Sequence, residues 1–384
     1  MSMPGSHSPP PARAEDGFAA ATGRKPSTTT RLRYYPQLDG VRALAVCAVV
    51  AMHAKIPLAS GGGIGVDVFF ALSGFLITAL LLQEMSDTGS LRFRDFYIRR
   101  VRRLLPALVA VSAFSLILFP LVHPFETRST MLGIGSSLLY VSCWLRAFHI
   151  SQLGWFGHTW SLSVEEHFYL FWPPLLALLF RRAERHLARW VLLLVAVAIG
   201  YRVAFSLAGA SRVRLYNSPD MRAEQLLVGC ALAVLFLRGS FKDKRWSRRL
   251  WLVLVLVSML DLANSVVDFG SLGLSWYQSD AAVVAIESAI LIGYLVLWPD
   301  SGMARFLSRP PLVWIGRRSY AVYLWHLPLF GLVDLKGEPT LLRAAARCAM
   351  IPATFLAAWA SFKWVERPFY SRRAAEPSPP GHER

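Results

Sequence analysis

Apolar residues occur in long uninterrupted blocks along this chain. Eleven blocks can be marked, at 41–58, 64–84, 104–122, 130–147, 163–180, 189–208, 222–238, 249–267, 280–298, 313–333 and 341–362. Each is roughly 20 residues long, the length that crosses a hydrocarbon core of about 30 Å as a helix. Only helices and closed barrels span lipid, and the blocks lack the alternation of barrel strands. The pattern predicts an all-α polytopic membrane protein.

Composition and charge agree with this interpretation. Of 384 residues, 54% are hydrophobic and 17% are charged, far from the soluble average. The formal net charge of +17 would favour a nucleic-acid partner in a soluble chain, but here the basic residues collect between apolar blocks. These basic gaps are 92–103, 181–189, 238–249, 305–318 and 363–373. Basic loops are typical of the cytoplasmic side of a membrane protein, so we expect no nucleic-acid partner.

The basic gaps also indicate how many blocks cross. If all eleven crossed from a cytoplasmic N-terminus, the gaps at 181–189 and 238–249 would face outward, against the charge bias. If the block at 130–147 is re-entrant or interfacial, every basic gap becomes cytoplasmic. That block also contains residues that weaken a lipid-facing helix: Gly133, Gly135, Ser136, Ser137 and Arg146. We predict about ten transmembrane helices plus one re-entrant or interfacial segment, with both termini cytoplasmic.

Polar tails flank the apolar region. Residues 1–33 contain Pro, Ser, Thr and Gly without an apolar core, which favours disorder over a cleavable signal peptide. Residues 371–384 are Pro-rich and are expected to be disordered as well. The predicted organisation is a cytoplasmic tail at 1–33, one membrane domain at 34–370 and a second cytoplasmic tail at 371–384.

The four cysteines have no redox or metal signature. Cys47, Cys143, Cys230 and Cys348 lie in or beside apolar blocks, without a CxxC pair or a metal-ligand spacing. We interpret them as small core residues. Neither a disulfide framework nor a metal site is expected.

The first block contains two ionisable residues, which are costly within a spanning segment and therefore indicate function. Arg42 and His53 are eleven residues apart, within about 20° of one helical face and about 16 Å apart along the axis. Arg42 would lie near the cytoplasmic rim and His53 near the middle of the bilayer. His53 is either a structural side chain bonded to a carbonyl or a base that takes a proton from a hydroxyl.

The second block, GVDVFFALSGFLIT, contains a second polar set. Ser73 and Gly74 near its middle favour close helix packing, because glycine lets another helix approach. Asp67 near its start can pair with a cation or orient His53.

A third set of ionisable groups opens the span that begins near residue 160. The run HTWSLSVEEHFY contains His158, Glu165, Glu166 and His167. A carboxylate in the first turn of a helix is stabilised by the helix dipole, which explains one Glu. The other Glu and the two histidines have no such explanation and favour a function.

Four arginines precede the third block at its cytoplasmic end. Arg99, Arg100, Arg102 and Arg103 act either as topology anchors or as a clamp for the phosphates of a nucleotide-like donor. Guanidinium groups suit the second role because they bind phosphate through paired hydrogen bonds.

A last set lies near the C-terminus in RRSYAVYLWH. Ser319, Tyr323 and His326 are spaced i, i+4 and i+7, on one helical face. Aromatic packing explains Tyr323, whereas His326 within a span is a further functional candidate.

These motifs, in this order, closely resemble the acyltransferase-3 family of integral membrane O-acyltransferases. The run LDGVR with His53 is followed by GVDVFFALSGFLIT, FYIRRVRRLLPAL, HTWSLSVEEHFYLFWP, RRSYAVYLWHLPL and VERPF, from about Leu38 to Phe369. The resemblance implies ten-span enzymes that take acyl groups from cytosolic acyl-CoA. It also implies that they modify surface glycans, lipid-linked sugars or secondary metabolites such as macrolides.

The resemblance implies roles for individual residues. Arg42 and His53 match the family's basic-residue-to-histidine motif, Arg100 and Arg103 its paired-arginine motif, and Glu165 its acidic signature. Further polar candidates are Asp67, Ser73, His158, Tyr323 and His326. The chain departs from the family at His167, where Gln is common. We also expect no C-terminal SGNH-type hydrolase domain, so the membrane unit would deliver to the acceptor by itself.

The hypothesis that follows is an O-acyl transfer from acyl-CoA, with acetyl-CoA expected, to a carbohydrate-like or secondary-metabolite hydroxyl. The phosphates would lie near Arg100 and Arg103. His53 would act as general base or carry the acyl group itself. Arg42, Glu165 and neighbouring polar groups would complete a catalytic centre without a metal.

Two other classes of protein also contain buried polar groups. A proton-coupled transporter or exporter without chemistry would use His and Glu as a relay, but we find no inverted repeat or paired broken helices. A binding-only membrane scaffold has no need of intramembrane charge. We therefore expect an enzyme in the bacterial cytoplasmic membrane, surrounded by lipid.

The topology predicts that the basic gaps face the cytoplasm. Single cysteines placed at Arg185 and Arg245 should be labelled by an impermeant thiol reagent only after the membrane is opened. Labelling of either position in intact cells would contradict the ten-span arrangement.

Overall fold

The computed structural model describes residues 33–57, 59–241, 248–266, 281–333 and 340–370. The structure is 86% helical, and the described residues contain no strand. The predicted all-α class is therefore confirmed.

The helices follow one another along the chain and are numbered here in order. They are α1 Pro36–His53, α2 Ile64–Thr88, α3 Phe93–Val122, α4 Thr127–Leu138, α5 Ser142–Ala147, α6 Trp160–Ala183, α7 Leu187–Leu207, α8 Arg212–Asn217, α9 Pro219–Leu237, α10 Arg248–Val266, α11 Ala281–Leu297, α12 Gly302–Leu307, α13 Pro310–Arg317, α14 Ser319–Leu332, α15 Thr340–Ala360 and α16 Arg367–Tyr370. Short 3₁₀ turns at Pro124–Glu126, Gly154–Thr159 and Glu184–His186 and a π-helical segment at Ser361–Glu366 connect some of them.

Residues with special backbone preferences mark where several helices begin and end. Pro36, Pro219 and Pro310 begin α1, α9 and α13, at positions where a missing N–H costs nothing. Gly89 ends α2 with a φ of 74°, a left-handed conformation that favours glycine. The chain then turns into α3, and the Glu84 carboxylate of α2 accepts a hydrogen bond from the Arg92 backbone N–H at 3.1 Å.

Helix α2 is the centre of the bundle. It is apolar around most of its circumference, as expected of a buried helix, and packs against α1, α6, α9 and α11. Its closest approach is to α9, where Gly74 meets the backbone of Leu226 and Gly229 meets the backbone of Ala71. A Cβ on Gly74 would lie 1.9 Å from the Leu226 carbonyl oxygen, so the contact requires glycine. The expected packing role of Gly74 is thus what the structure shows.

Large apolar side chains cover the outside of the bundle. Ile117 of α3, Leu193 of α7 and Val257 of α10 are 67%, 50% and 61% exposed. Such an exterior fits lipid better than water. By length and composition, four stretches of described residues can cross a membrane: Ile64–Thr88, Phe93–Val122, Gly154–Leu207 and Ala345–Phe369, with Ala281–Leu297 a shorter apolar helix. The protein is a membrane protein, and the count of about ten spans stays a prediction.

The block at 130–147 is broken into two short helices. Helix α4 ends at Leu138, and Tyr140 has a φ of 54°, which turns the chain before α5 begins at Ser142. At 1.5 Å per residue, the 12 residues of α4 reach only about 18 Å, well short of a bilayer core. This break agrees with a segment that does not cross.

The cysteines are free thiols in different environments. Cys143 and Cys230 are buried and Cys47 is partly buried, but Cys348 is exposed. The interpretation of Cys348 as a core residue is wrong, because α15 packs one side on α14 and leaves this position on the outer side. Apart from Arg33, the predicted tails at 1–33 and 371–384 lie outside the described residues, as does Arg245.

The close approach of α2 and α9 predicts a large effect of a single methyl group. Gly74→Ala should lower the thermal midpoint of the solubilised protein, since overpacking a core costs about 1–3 kcal/mol. Gly200→Ala on α7 is the matched control, because a Cβ there meets nothing within 4 Å, and it should be neutral or slightly stabilising. Equal midpoints for the two variants would contradict the packing.

Candidate active site

An elongated cavity of about 420 Å³ lies between α1, α2, α3, α6 and α14. One end is next to exposed Arg33 and Tyr34, just before α1, and the other reaches Ser161 and Tyr323. Much of the wall between them is apolar, formed by Leu38, Val66, Phe69, Phe70, Leu76, Ile77, Leu80, Leu104 and Leu162. The cavity therefore suits a long ligand with an apolar part.

Three predicted arginines line this cavity. Arg42 comes from α1, while Arg100 and Arg103 are one turn apart on α3. The Arg100 guanidinium lies over the Tyr169 ring, with its central carbon 4.2 Å from the ring centre. The arrangement places a concentrated positive charge on the cavity wall.

The other two arginines of α3 do not line the cavity. Arg99 pairs with Glu84 at 3.5 Å, and Arg102 is exposed. The helical repeat thus divides the four arginines into one pair on the cavity and one pair away from it.

Glu165 is the carboxylate that faces these cations. It lines the cavity and accepts a hydrogen bond of 2.6 Å from the Ser73 hydroxyl of α2. It also interacts electrostatically with Arg42, Arg100 and Arg103. Two residues predicted from separate motifs, Ser73 and Glu165, therefore form one polar contact.

Hydroxyl groups close the inner end of the cavity. The Tyr323 hydroxyl donates to the His158 carbonyl oxygen at 2.8 Å and lies 2.7 Å from the Ser161 hydroxyl. Ser319 also lines the cavity, is 1% exposed, and its hydroxyl has no hydrogen-bond partner within the described ranges. These groups are placed to meet a polar atom at the tip of a ligand.

His53 lies behind this end and does not belong to the cavity wall. Its Nδ1 is 3.0 Å from the Val49 carbonyl oxygen and 3.2 Å from Nε2 of His326. The ring of His326 lies 5.4 Å from that of Tyr323, which connects the histidines to the cavity. Arg42 and His53, predicted on one stripe of α1, thus have different surroundings.

The hydrogen-bond pattern assigns the tautomers of the two rings. His326 is fully buried, and its Nδ1 is 2.5 Å from the Tyr323 carbonyl oxygen, so that Nδ1 carries the proton and Nε2 accepts. His53 must then donate from Nδ1 to Val49 and His326. Its Nε2 is left with a free lone pair, as a base or a nucleophile requires.

His158 is the third ring of this cluster. Its centroid lies 5.0 Å from that of His326, and it is 4% exposed. Among the described residues, no group of three or more His, Cys, Asp or Glu side chains is placed to hold a metal ion. The cluster therefore brings together three histidines from three separate motifs.

Asp67 has a different partner from the histidines. Its Oδ1 accepts from Arg222 and from Gln225 of α9, each at 2.7 Å, and the ion pair is nearly fully buried. His326, and not Asp67, contacts Nδ1 of His53. The Asp67 carboxylate therefore joins α2 to α9 outside the cavity.

Sequence reasoning missed several partners. Arg222 and Ser161 lie within helices whose pattern gives no distance to Asp67 or Tyr323, so no local signal could have paired them. His167, the departure from the family pattern, accepts from the Trp144 indole at Nε2 over 3.2 Å and donates from Nδ1 to the Ser163 carbonyl oxygen at 2.7 Å. It therefore ties α5 to α6.

The fold and site define a helical membrane protein whose cation-lined cavity leads toward a buried histidine cluster. Residues 35–363 match the acyltransferase-3 family, described as an acyltransferase domain. The chain belongs to this family and is an O-acyltransferase.

Characterised relatives point the same way. The chain is 35% identical over 355 residues to the peptidoglycan O-acetyltransferase OatA of Listeria monocytogenes, across 90% of this chain and 57% of that protein. It is 31% identical over 352 residues to the O-acetyltransferase OatA of Staphylococcus aureus, across 88% and 57%. The chain thus spans a little more than half the length of these relatives. No solved structure matches it significantly.

The division of the α3 arginines predicts different effects on donor binding. Arg100→Ala or Arg103→Ala should weaken acetyl-CoA binding about tenfold or more, since a charge-assisted hydrogen bond is worth roughly 1.5–3 kcal/mol. Lys should restore binding only in part. Arg102→Ala removes the same charge outside the cavity and serves as the control in calorimetric titration of the purified protein. Equal affinities in all variants would leave the arginines as topology anchors.

Proposed function

We propose that this protein is an O-acetyltransferase of the bacterial cytoplasmic membrane that moves the acetyl group of acetyl-CoA onto a glycan hydroxyl. The observation that carries the proposal is the free Nε2 lone pair of His53, held by His326 behind the inner end of a cation-lined cavity. Donor and acceptor sites would meet at this ring.

The donor enters the cavity from the cytoplasmic end. Its phosphates lie against Arg100 and Arg103, where guanidinium groups offer paired N–H donors. The pantetheine arm follows the apolar wall, and the thioester reaches Ser319 and Tyr323 at the inner end. Glu165, bonded to Ser73, balances part of the arginine charge when the cavity is empty.

The transfer forms an ester and breaks a thioester. The acceptor oxygen attacks the thioester carbonyl carbon while its proton passes to His53 Nε2; the C–S bond then breaks, and the proton leaves with the coenzyme A thiol. In the alternative route, Nε2 attacks first and holds the acetyl group until the hydroxyl arrives. Both routes need the same lone pair.

Developing negative charge on the carbonyl oxygen needs donors aimed at it. The Ser319 and Tyr323 hydroxyls and the Arg42 guanidinium line the same cavity. Ser319 is the best placed to accept this role, because its buried hydroxyl has no competing partner among the described residues. For His53 to reach the carbonyl, Tyr323 must move aside from its contact with Ser161.

The acceptor follows from the relatives and from the membrane setting. The Listeria protein acts on peptidoglycan by its name, which supports a cell-envelope glycan here. A transporter without chemistry is not favoured, because the chain belongs to an enzyme family.

His53 should be essential for transfer but not for donor binding. His53→Asn keeps a side chain able to hydrogen bond but cannot take the proton, so acetyl transfer to the glycan should fall by a factor of about 10²–10⁴ while acetyl-CoA affinity is retained. His186→Asn, at an exposed position, is the matched control and should keep full activity. Near-normal turnover of His53→Asn, measured by mass spectrometry of the acetylated glycan, would make His53 structural.

A further inference from the structure

Arg146 is a cation beside the histidine cluster that the transfer mechanism does not use. It lies on α5, and its Nε donates to the Asn217 side-chain oxygen at 2.9 Å. Asn217 is 2% exposed and is held in turn by a hydrogen bond of 2.8 Å from its Nδ2 to the Val213 carbonyl oxygen. The position of the guanidinium is therefore well defined.

A glycine makes room for this guanidinium. A Cβ on Gly157 would lie 2.7 Å from Nη1 of Arg146, so the arginine occupies the space of the missing side chain. The next residue in the chain is His158. From this place Arg146 interacts electrostatically with His53, His158 and Tyr323. A positive charge thus lies beside the proposed base.

Arg146 has no acidic partner among the described residues, unlike its neighbours. Arg202 pairs with Glu224 at 3.2 Å, Arg214 with Asp220 at 2.5 Å and Arg222 with Asp67 at 2.7 Å. Within the same ranges, the ion pairs formed do not include Arg146. A cation this enclosed is costly unless it meets an anion.

His158 supplies a second, independent signal at the same place. It is 4% exposed, and neither of its ring nitrogens forms a hydrogen bond of acceptable geometry within the described chain. A buried ring with both nitrogens unsatisfied is unusual. Because Arg146 and His158 adjoin one another, one oxygen-rich ligand can satisfy both.

We propose that Arg146 and His158 form an acceptor subsite that binds an anionic group, a carboxylate or a phosphate, on the glycan acetylated at His53. This rests on the proposed function and names the acceptor class, an acidic glycan. Neither residue belongs to the wall of the donor cavity, so the subsite lies beyond its inner end. The guanidinium offers paired N–H donors to such an anion, and the acceptor hydroxyl is thereby directed toward His53 Nε2.

The test compares ligands that differ in charge alone. Binding of N-acetylmuramic acid and of its uncharged carboxamide is measured by calorimetry on the purified full chain. N-acetylglucosamine 1-phosphate and N-acetylglucosamine form the phosphate arm. The native protein should bind the charged member of at least one pair about tenfold or more tightly, and the arm that responds identifies the anion.

Arg146→Gln should abolish this preference by weakening the charged ligand selectively. Arg146→Lys, which keeps the charge, should retain part of it. Arg212→Gln removes a charge from an exposed position on the adjacent α8 and is the matched control. Retained acetyl-CoA binding by each variant shows that it is folded.

The outcomes separate this inference from the proposed function. Acetyl transfer without any preference for charged ligands in the native protein, or a preference that survives Arg146→Gln, overturns the subsite. A preference lost in Arg146→Gln supports it, even if no acetyl transfer is detected, in which case the proposed function fails instead.

Discussion

The arrangement of this protein depends on one constraint: polar groups inside an apolar bundle must find their partners within the protein. Water is not available in the hydrocarbon region to satisfy them. Asp67 therefore meets Arg222 and Gln225, and Glu165 meets Ser73. Each pair joins helices that are distant in the sequence, so the polar contacts select one packing of otherwise interchangeable apolar surfaces.

The close contact of α2 and α9 meets the same constraint with small residues. Gly74 and Gly229 bring the two backbones together, which puts Asp67 within reach of the α9 side chains. One turn later on α2, Ser73 faces the opposite partner, Glu165 of α6. The central helix thus separates a structural ion pair from the polar contact in the cavity.

The sequence predicted the parts of the site better than their contacts. Period, charge and family motifs indicated the helices, the arginine pair and His53, and the i, i+4, i+7 spacing placed Tyr323 and His326 on one face. None of these signals measures the distance between helices, so the contact of His326 with His53 and the pairing of Asp67 with Arg222 required the fold. Arg146 appeared only as a flaw in an apolar block, because its meaning depends on Asn217 and Gly157, far along the chain or across a turn.

The hydroxyl contact between Tyr323 and Ser161, which ends the cavity, has a consequence for cellular energetics. A bacterial membrane stores a proton gradient, and a continuous wet passage through an enzyme would drain it. With the Tyr323 ring in place, the arginine-lined space stops short of the histidines, so reagents can meet from opposite sides without a permeable channel. The barrier then opens only as far as an acetyl group, itself a plug, requires.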